Sequence, residues 1–263
     1  MSQARRHSGY HFGMRVSSEY VDISAGPSPM RMFVASPEAD GKYPGVLCYS
    51  DIFQLTGPML RACIRLAGYG FVAAAPEIYH RIEPPGSPIP FDDAGRTRGL
   101  EDATKTPVAH FDEDRRAALD YLARHPKVAD AKLAAMGFCI GGHLAFRAAL
   151  EHDVVATACF YPTGLPEGKL GSDPDAGSLA RAREIGGRLL IVFGAEDPHI
   201  PPESRSKIEQ ALRDSGVDFK IRQFTGEHAF MRDEGPRYDP EAADQAFAAM
   251  IALFRSVFGA SYT

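Results

Sequence analysis

The sequence predicts an α/β fold in which a mostly parallel sheet carries helices on both faces. Three observations lead there. Strand-like and helix-like segments alternate along the chain. The strand segments are apolar throughout rather than alternating, as strands buried on both faces are. Three residues able to do covalent or acid–base chemistry fall just after strands, where open α/β sheets place their ligand sites.

Residues 14–24 and 29–35 read as two strands around Gly26-Pro27, an antiparallel edge. Residues 44–50 (P-G-V-L-C-Y-S) form a short buried strand. Residues 55–69 have a helical period that ends at Gly68 and Gly70. Residues 71–75 are a strand closed by Pro76. Residues 80–110 are rich in Pro, Gly and charge, and read as a long functional loop. Residues 111–124 form an amphipathic helix stopped near Pro126, followed by a strand at 132–137, a helix at 141–151 and a strand at 154–160. A second Pro/Gly-rich loop covers 162–178. Then come a strand at 188–193, a helix at 201–215 with Gly216 just beyond it, a strand at 219–224 and a helix at 240–258. No internal repeat interrupts this order, and the chain reads as one domain over 1–263, with 80–110 and 162–178 as active-site loops.

Composition narrows the function. The chain has 263 residues, 44% hydrophobic and 24% charged, which is ordinary for a globular protein. A net charge of −5 argues against a nucleic-acid partner, which would need a basic face. The four cysteines form no C-x-x-C pair, and no histidine cluster stands at zinc spacing, so no metal is expected. Free thiols point to a reducing compartment. The first ten residues carry two arginines without a following apolar run, which is not a secretory pattern. No stretch approaches the roughly 18 apolar residues of a membrane span, so no membrane partner is expected. These observations together predict the cytoplasm.

The strand at 132–137 runs into G-F-C-I-G-G, residues 137–142. This is a nucleophile elbow with cysteine at its centre. The chain must turn sharply into a helix, and side chains at the flanking glycines would clash. Cys139 then stands at a helix N-terminus, which favours its thiolate, and the amide of Ile140 faces a developing oxyanion. The bland alternative is a buried cysteine in a glycine-rich turn. The next two strands favour the elbow. Asp197 follows one, in G-A-E-D-P-H-I, and His228 follows the next, in T-G-E-H-A-F. Nucleophile, acid, base is the chain order of α/β-hydrolases. Glu196 competes for the acid role; position and Pro198 favour Asp197. Otherwise Asp197 is a helix cap and His228 a loop histidine.

With S-D-I-F (50–53), P-E-I-Y-H-R (76–81), G-A-E-D-P-H-I-P (194–201) and G-E-H-A-F-M-R (226–232) beside the elbow, the sequence resembles the dienelactone hydrolase, or carboxymethylenebutenolidase, family over residues 28–258. The resemblance implies an α/β-hydrolase fold, a Cys139–His228–Asp197 triad and no cofactor. It also implies hydrolysis of a small anionic enol lactone in the degradation of aromatic compounds. Ile52 matches the second oxyanion amide. Asp51 stands where the family commonly has glutamate, a carboxylate that pairs with the cysteine and takes its proton when substrate binds. Arg81 and Arg232 match arginines that hold the substrate carboxylate, a role suited to a planar guanidinium. Tyr161 follows a strand and lines either the pocket or the core.

The remaining polar candidates have simpler readings. Cys48, Cys63 and Cys159 read as core, His143 as packed on the helix after the elbow, and His199 as a lone neighbour of Asp197. Asp112, Glu113 and Asp114 read as the solvated first turn of a helix. A general carboxylesterase or thioesterase fits the same triad, and a non-catalytic redox or binding thiol is the rival from another class. Monomer and homodimer both stay open.

Overall fold

The computed structural model describes residues 14–259; the N-terminal stretch read above as lacking a leader lies outside them. Among the described residues, eight strands form one sheet in the order β1-β2-β4-β3-β5-β6-β7-β8. β1 (Val16–Ala25) and β2 (Ser28–Pro37) pair antiparallel at the edge. β2 also pairs antiparallel with β4 (Val72–Pro76). The others are parallel: β3 (Tyr43–Tyr49), β4, β5 (Val128–Phe138), β6 (Val154–Phe160), β7 (Arg188–Gly194) and β8 (Phe219–Phe224). Apolar runs in β3, β4 and β6 are buried along nearly their whole length, as strands covered on both faces must be.

The direction of travel decides where the helices lie. The chain moves one way from β3 through α1 (Gly57–Gly68) to β4. It then moves the other way through α3 (Val108–Arg124) to β5, through α4 (Ile140–Ala148) to β6, and through α5 (Pro202–Asp214) from β7 to β8. Right-handed crossovers place α1 on one face and α3, α4 and α5 on the opposite one. α6 (Pro240–Phe258) joins α1, where Arg65 lies 4.0 Å over the ring of Phe247. The reversal falls between β3 and β5, and it opens a crevice at their carboxyl ends. Among the described residues no helix is long and apolar enough to cross a membrane.

Three expectations need correction. The segment 80–110 is not one irregular loop: it contains α2 (Asp93–Lys105), capped by Asp92, whose carboxylate accepts from the Gly95 N–H at 2.7 Å. Its buried face consists of Gly95, Gly99, Asp102 and Ala103, so it carries no apolar stripe for a periodicity reading to find. Next, β5 begins at Val128, where Val128 pairs with Tyr43 before a register shift. Third, Asp112 and Asp114 are not solvated. Asp114 is buried against Arg81, and Asp112 accepts from Arg115 and, at 2.9 Å, from Arg147 Nε on α4. Glu113 is half-buried, and it too is paired, with Arg81. Cys48, Cys63 and Cys159 are core, as expected.

Candidate active site

Cys139 joins β5 to α4 with φ 59° and ψ −121°, a conformation that L-residues adopt only under constraint. Its surroundings impose the turn. A Cβ on Gly137 would lie 2.0 Å from the Gly141 carbonyl oxygen, and one on Gly141 would lie 2.2 Å from that of Ser50. Only glycine lets the elbow close on the loop after β3. The Cys139 carbonyl accepts from Gly142 and His143 as α4 begins, and its thiol is half-buried.

His228 and Asp197 arrive from the ends of β8 and β7. His228 Nδ1 lies 2.8 Å from Asp197 Oδ2. The other carboxylate oxygen accepts from the His199 N–H at 2.8 Å. Glu196 is exposed and does not share this geometry. Burial works against charge on both partners. The His228 ring nevertheless holds Asp197 below its usual range, helped by the His199 N–H. Burial likewise opposes a charged His228, but the Cys139 sulfur, first, and Asp197 outweigh it, and its pKa is pushed up to about 9. Tyr161, itself at φ 39°, sets its buried ring edge-on to His228 at 5.0 Å. His199 covers another edge at 4.8 Å. Tyr161 therefore belongs to both the core and the site wall.

Among the described residues, the N–H groups of Ile52 and Ile140 have no protein acceptor. Ile140 is the first residue of α4, whose N–H no intrahelical carbonyl can take. Ile52 lies on the loop after β3, and α2 seats directly upon it: a Cβ on Gly99 would stand 2.4 Å from the Ile52 carbonyl oxygen.

The two carboxylate-clamp expectations fare differently. Arg232 reaches the crevice, with its guanidinium 4.8 Å from the ring centres of both Phe53 and Phe91. Asp51 pairs with this arginine, accepting from Nη2 at 2.6 Å and Nε at 3.1 Å. Its other oxygen accepts from the Phe53 N–H at 2.9 Å. Asp51 thus engages Arg232 here; the resemblance gives it the Cys139 proton only once substrate binds. Arg81 is a correction. Its guanidinium turns to α3, donating to both oxygens of Asp114 at 2.6 and 2.7 Å and to Glu113 at 2.7 Å, and reaches the Ala25 carbonyl at 3.2 Å. Two carboxylates on the neighbouring helix outcompete the crevice for it.

One neighbour of the thiol escaped the sequence reading. Thr163 Oγ1 lies 3.8 Å from Cys139 Sγ. Burial pushes the His143 pKa down to about 4, so its ring is neutral. Its Nδ1–H donates to the Thr163 carbonyl at 3.1 Å, which leaves Nε2 to accept from Ser178 at 2.8 Å. Nothing in the P-T-G spacing announces this contact, because it depends on how the loop after β6 folds back. A cavity between α1 and α6 adjoins the site, with Phe138, Tyr161, Asp51 and Arg232 in its wall.

Comparison with known proteins agrees with this architecture. A carboxymethylenebutenolidase of Pseudomonas sp. (strain P51) is 27% identical over 217 residues, covering 82% of this chain and 86% of its own. A provisional carboxymethylenebutenolidase of Saccharomyces cerevisiae is 36% identical over 230 residues, 84% of each chain. A crystal structure from Klebsiella pneumoniae, described provisionally as a dienelactone hydrolase, superposes with a TM-score of 0.81 at 27% identity, covering 91% of this chain and 98% of that one. The model of the dienelactone hydrolase family matches residues 30–258. With an elbow cysteine and a His–Asp pair at the carboxyl ends of its parallel strands, the chain belongs to the dienelactone hydrolase family, ester-bond hydrolases of the α/β-hydrolase superfamily.

Proposed function

We propose that the chain hydrolyses a small lactone or ester through a thioester on Cys139. The observation that carries this reading is the 2.8 Å contact between His228 and the buried Asp197, beside a cysteine held at positive φ. His228 takes the Cys139 proton, and Asp197 fixes the ring and balances its charge. The thiolate attacks the carbonyl carbon. The oxyanion is met by the N–H groups of Ile140 and Ile52, each such donor contributing about 3 kcal/mol to the transition state. Collapse expels the alkoxide, which takes the proton from His228. Water then attacks the thioester with His228 as base, and the carboxylate product leaves with the thiolate restored. Thr163 stands close enough to Sγ to hydrogen-bond the sulfur. With four free cysteines, the cytoplasm suits such an enzyme.

Turnover of a dienelactone and of a neutral p-nitrophenyl ester by wild type and Cys139→Ala tests the reading. The expected result is turnover of at least one by wild type, loss of it in the variant, and an acyl adduct on Cys139 trapped by mass spectrometry. Undiminished turnover by Cys139→Ala would overturn it.

A further inference from the structure

The loop after β6 is laced to the nucleophile elbow. The Cys139 N–H donates to the Phe160 carbonyl at 3.0 Å, and the Thr163 N–H donates to the Cys139 carbonyl at 3.3 Å. The Thr163 hydroxyl lies 3.8 Å from the Cys139 sulfur and has no other polar partner among the described residues. A further tie runs through His143, one turn into α4, whose Nδ1 lies 3.1 Å from the Thr163 carbonyl oxygen.

His143 is fully buried, and its neighbours fix its tautomer. A carbonyl can only accept, so Nδ1 carries the ring hydrogen and Nε2 is left to accept from Ser178 at 2.8 Å. Arg147, one turn further along α4, can only donate, and it does so to Ser178 Oγ and to the Ala176 carbonyl, both at 2.9 Å. Asp112 balances the buried guanidinium. Two side chains of the helix that begins at the nucleophile thus hold both ends of the segment from 163 to 178. The Thr163 hydroxyl is kept against the sulfur by this frame.

The hydroxyl matters most when the sulfur is charged. The sulfur of a thiol or a thioester is a weak acceptor. The thiolate between those two states is an anion, toward which a hydroxyl can only donate. The proton itself passes from Sγ to His228, and the Thr163 hydrogen stays on its oxygen throughout.

We infer that Thr163 is a further catalytic residue of this site, its hydroxyl donating to the Cys139 thiolate, and that His143 is the positioning residue that aims it. The inference rests on the reading of Cys139 as the acylated nucleophile.

The test alkylates Cys139 with iodoacetamide at pH 6 and follows the modified peptide by mass spectrometry, the other three cysteines being buried. Losing a hydrogen bond to an ionised group lowers the thiolate population about tenfold. The thiolate that remains is the more nucleophilic, so roughly half of that effect survives on a logarithmic scale. Thr163→Val is therefore expected to alkylate about threefold more slowly, with kcat/KM for a p-nitrophenyl ester lowered at least about threefold. Thr163→Ser, which restores only the hydroxyl, is expected to recover both rates. His143→Leu is expected to match Thr163→Val, and His143→Asn, which keeps an N–H near the Nδ1 position, to recover. The double variant Thr163→Val/His143→Leu is expected to be no slower than Thr163→Val, because His143 acts through the hydroxyl.

Wild-type rates in Thr163→Val, or a Thr163→Ser as slow as Thr163→Val, would overturn the inference and leave the hydrolase reading standing. Multiplying effects in the double variant would overturn the part given to His143. Turnover of no ester, together with no acyl adduct on Cys139, would remove the hydrolase reading and the catalytic role of Thr163 with it. Where His143→Leu does not fold, His143→Asn and the two Thr163 variants decide the matter.

Discussion

The carboxylate of Asp197 and the imidazole of His228 meet at 2.8 Å inside the protein, and the second Asp197 oxygen is tied to the His199 N–H. The pair is therefore oriented from both ends. Asp197→Asn preserves the shape but offers an amide where the ring needs an anion. Its kcat is expected to fall about 10³- to 10⁴-fold with little change in KM, as steady-state kinetics would show. A loss smaller than about tenfold would assign the acid role elsewhere.

His228 has consequences for stability as well as rate. Its pKa in the folded chain is about 9, against 6.5 for the free side chain. The folded state thus binds this proton more tightly than the unfolded state does. Its stabilising contribution is complete below about pH 6.5 and is lost as the pH rises through about 9. Urea midpoints measured across that window are expected to fall in wild type, and to fall less in His228→Gln. Identical slopes would show that the ring is not charged in the resting protein.

Cys139 holds a backbone conformation that suits glycine. Cys139→Ala and Cys139→Gly both remove the thiol, so both are expected to be inactive. They differ in the strain at φ 59°. Cys139→Gly is expected to be the more stable by about 1 kcal/mol, read from urea unfolding. A more stable alanine variant would mean that the elbow is relaxed.

Arg81 fixes the residues after β4 to α3. Arg81→Met strips the buried Asp114 of its guanidinium and leaves it the His80 ring, 3.1 Å away, as partner. A loss of about 3–5 kcal/mol in stability follows. KM measured on the folded fraction is expected to stay at the wild-type value. A raised KM with unchanged stability would instead return this arginine to the substrate.

The inner sheet was readable because burial on both faces leaves an unbroken apolar run, and β6 lies where that pattern places it; β8, at the sheet edge, alternates instead. α2 was hidden for the opposite reason: a helix that packs on the backbone of another loop needs small residues, and Gly95, Gly99 and Ala103 carry no periodic apolar signal. Cys139, Asp197 and His228 were legible because each follows a strand, so topology alone brings them together. The partners of Arg81 and Asp51 were not. Long side chains choose among several acceptors, and the choice is settled by three-dimensional neighbours such as Asp114 and Arg232.

The seat of α2 on Ile52 links two properties that engineers usually treat as separable. The helix belongs to the segment between β4 and α3, where changes in substrate range are naturally sought. Yet Gly99 brings its backbone against the carbonyl of Ile52, the residue proposed above to offer an oxyanion N–H, with no space for even a methyl group between them. Exchanging this segment for a homologous one, or widening it by mutation, shifts a donor whose placement matters at the scale of tenths of an ångström. Retailored selectivity in this scaffold therefore comes with a slower chemical step unless the small residue at position 99 and the path of the chain above it are carried over unchanged.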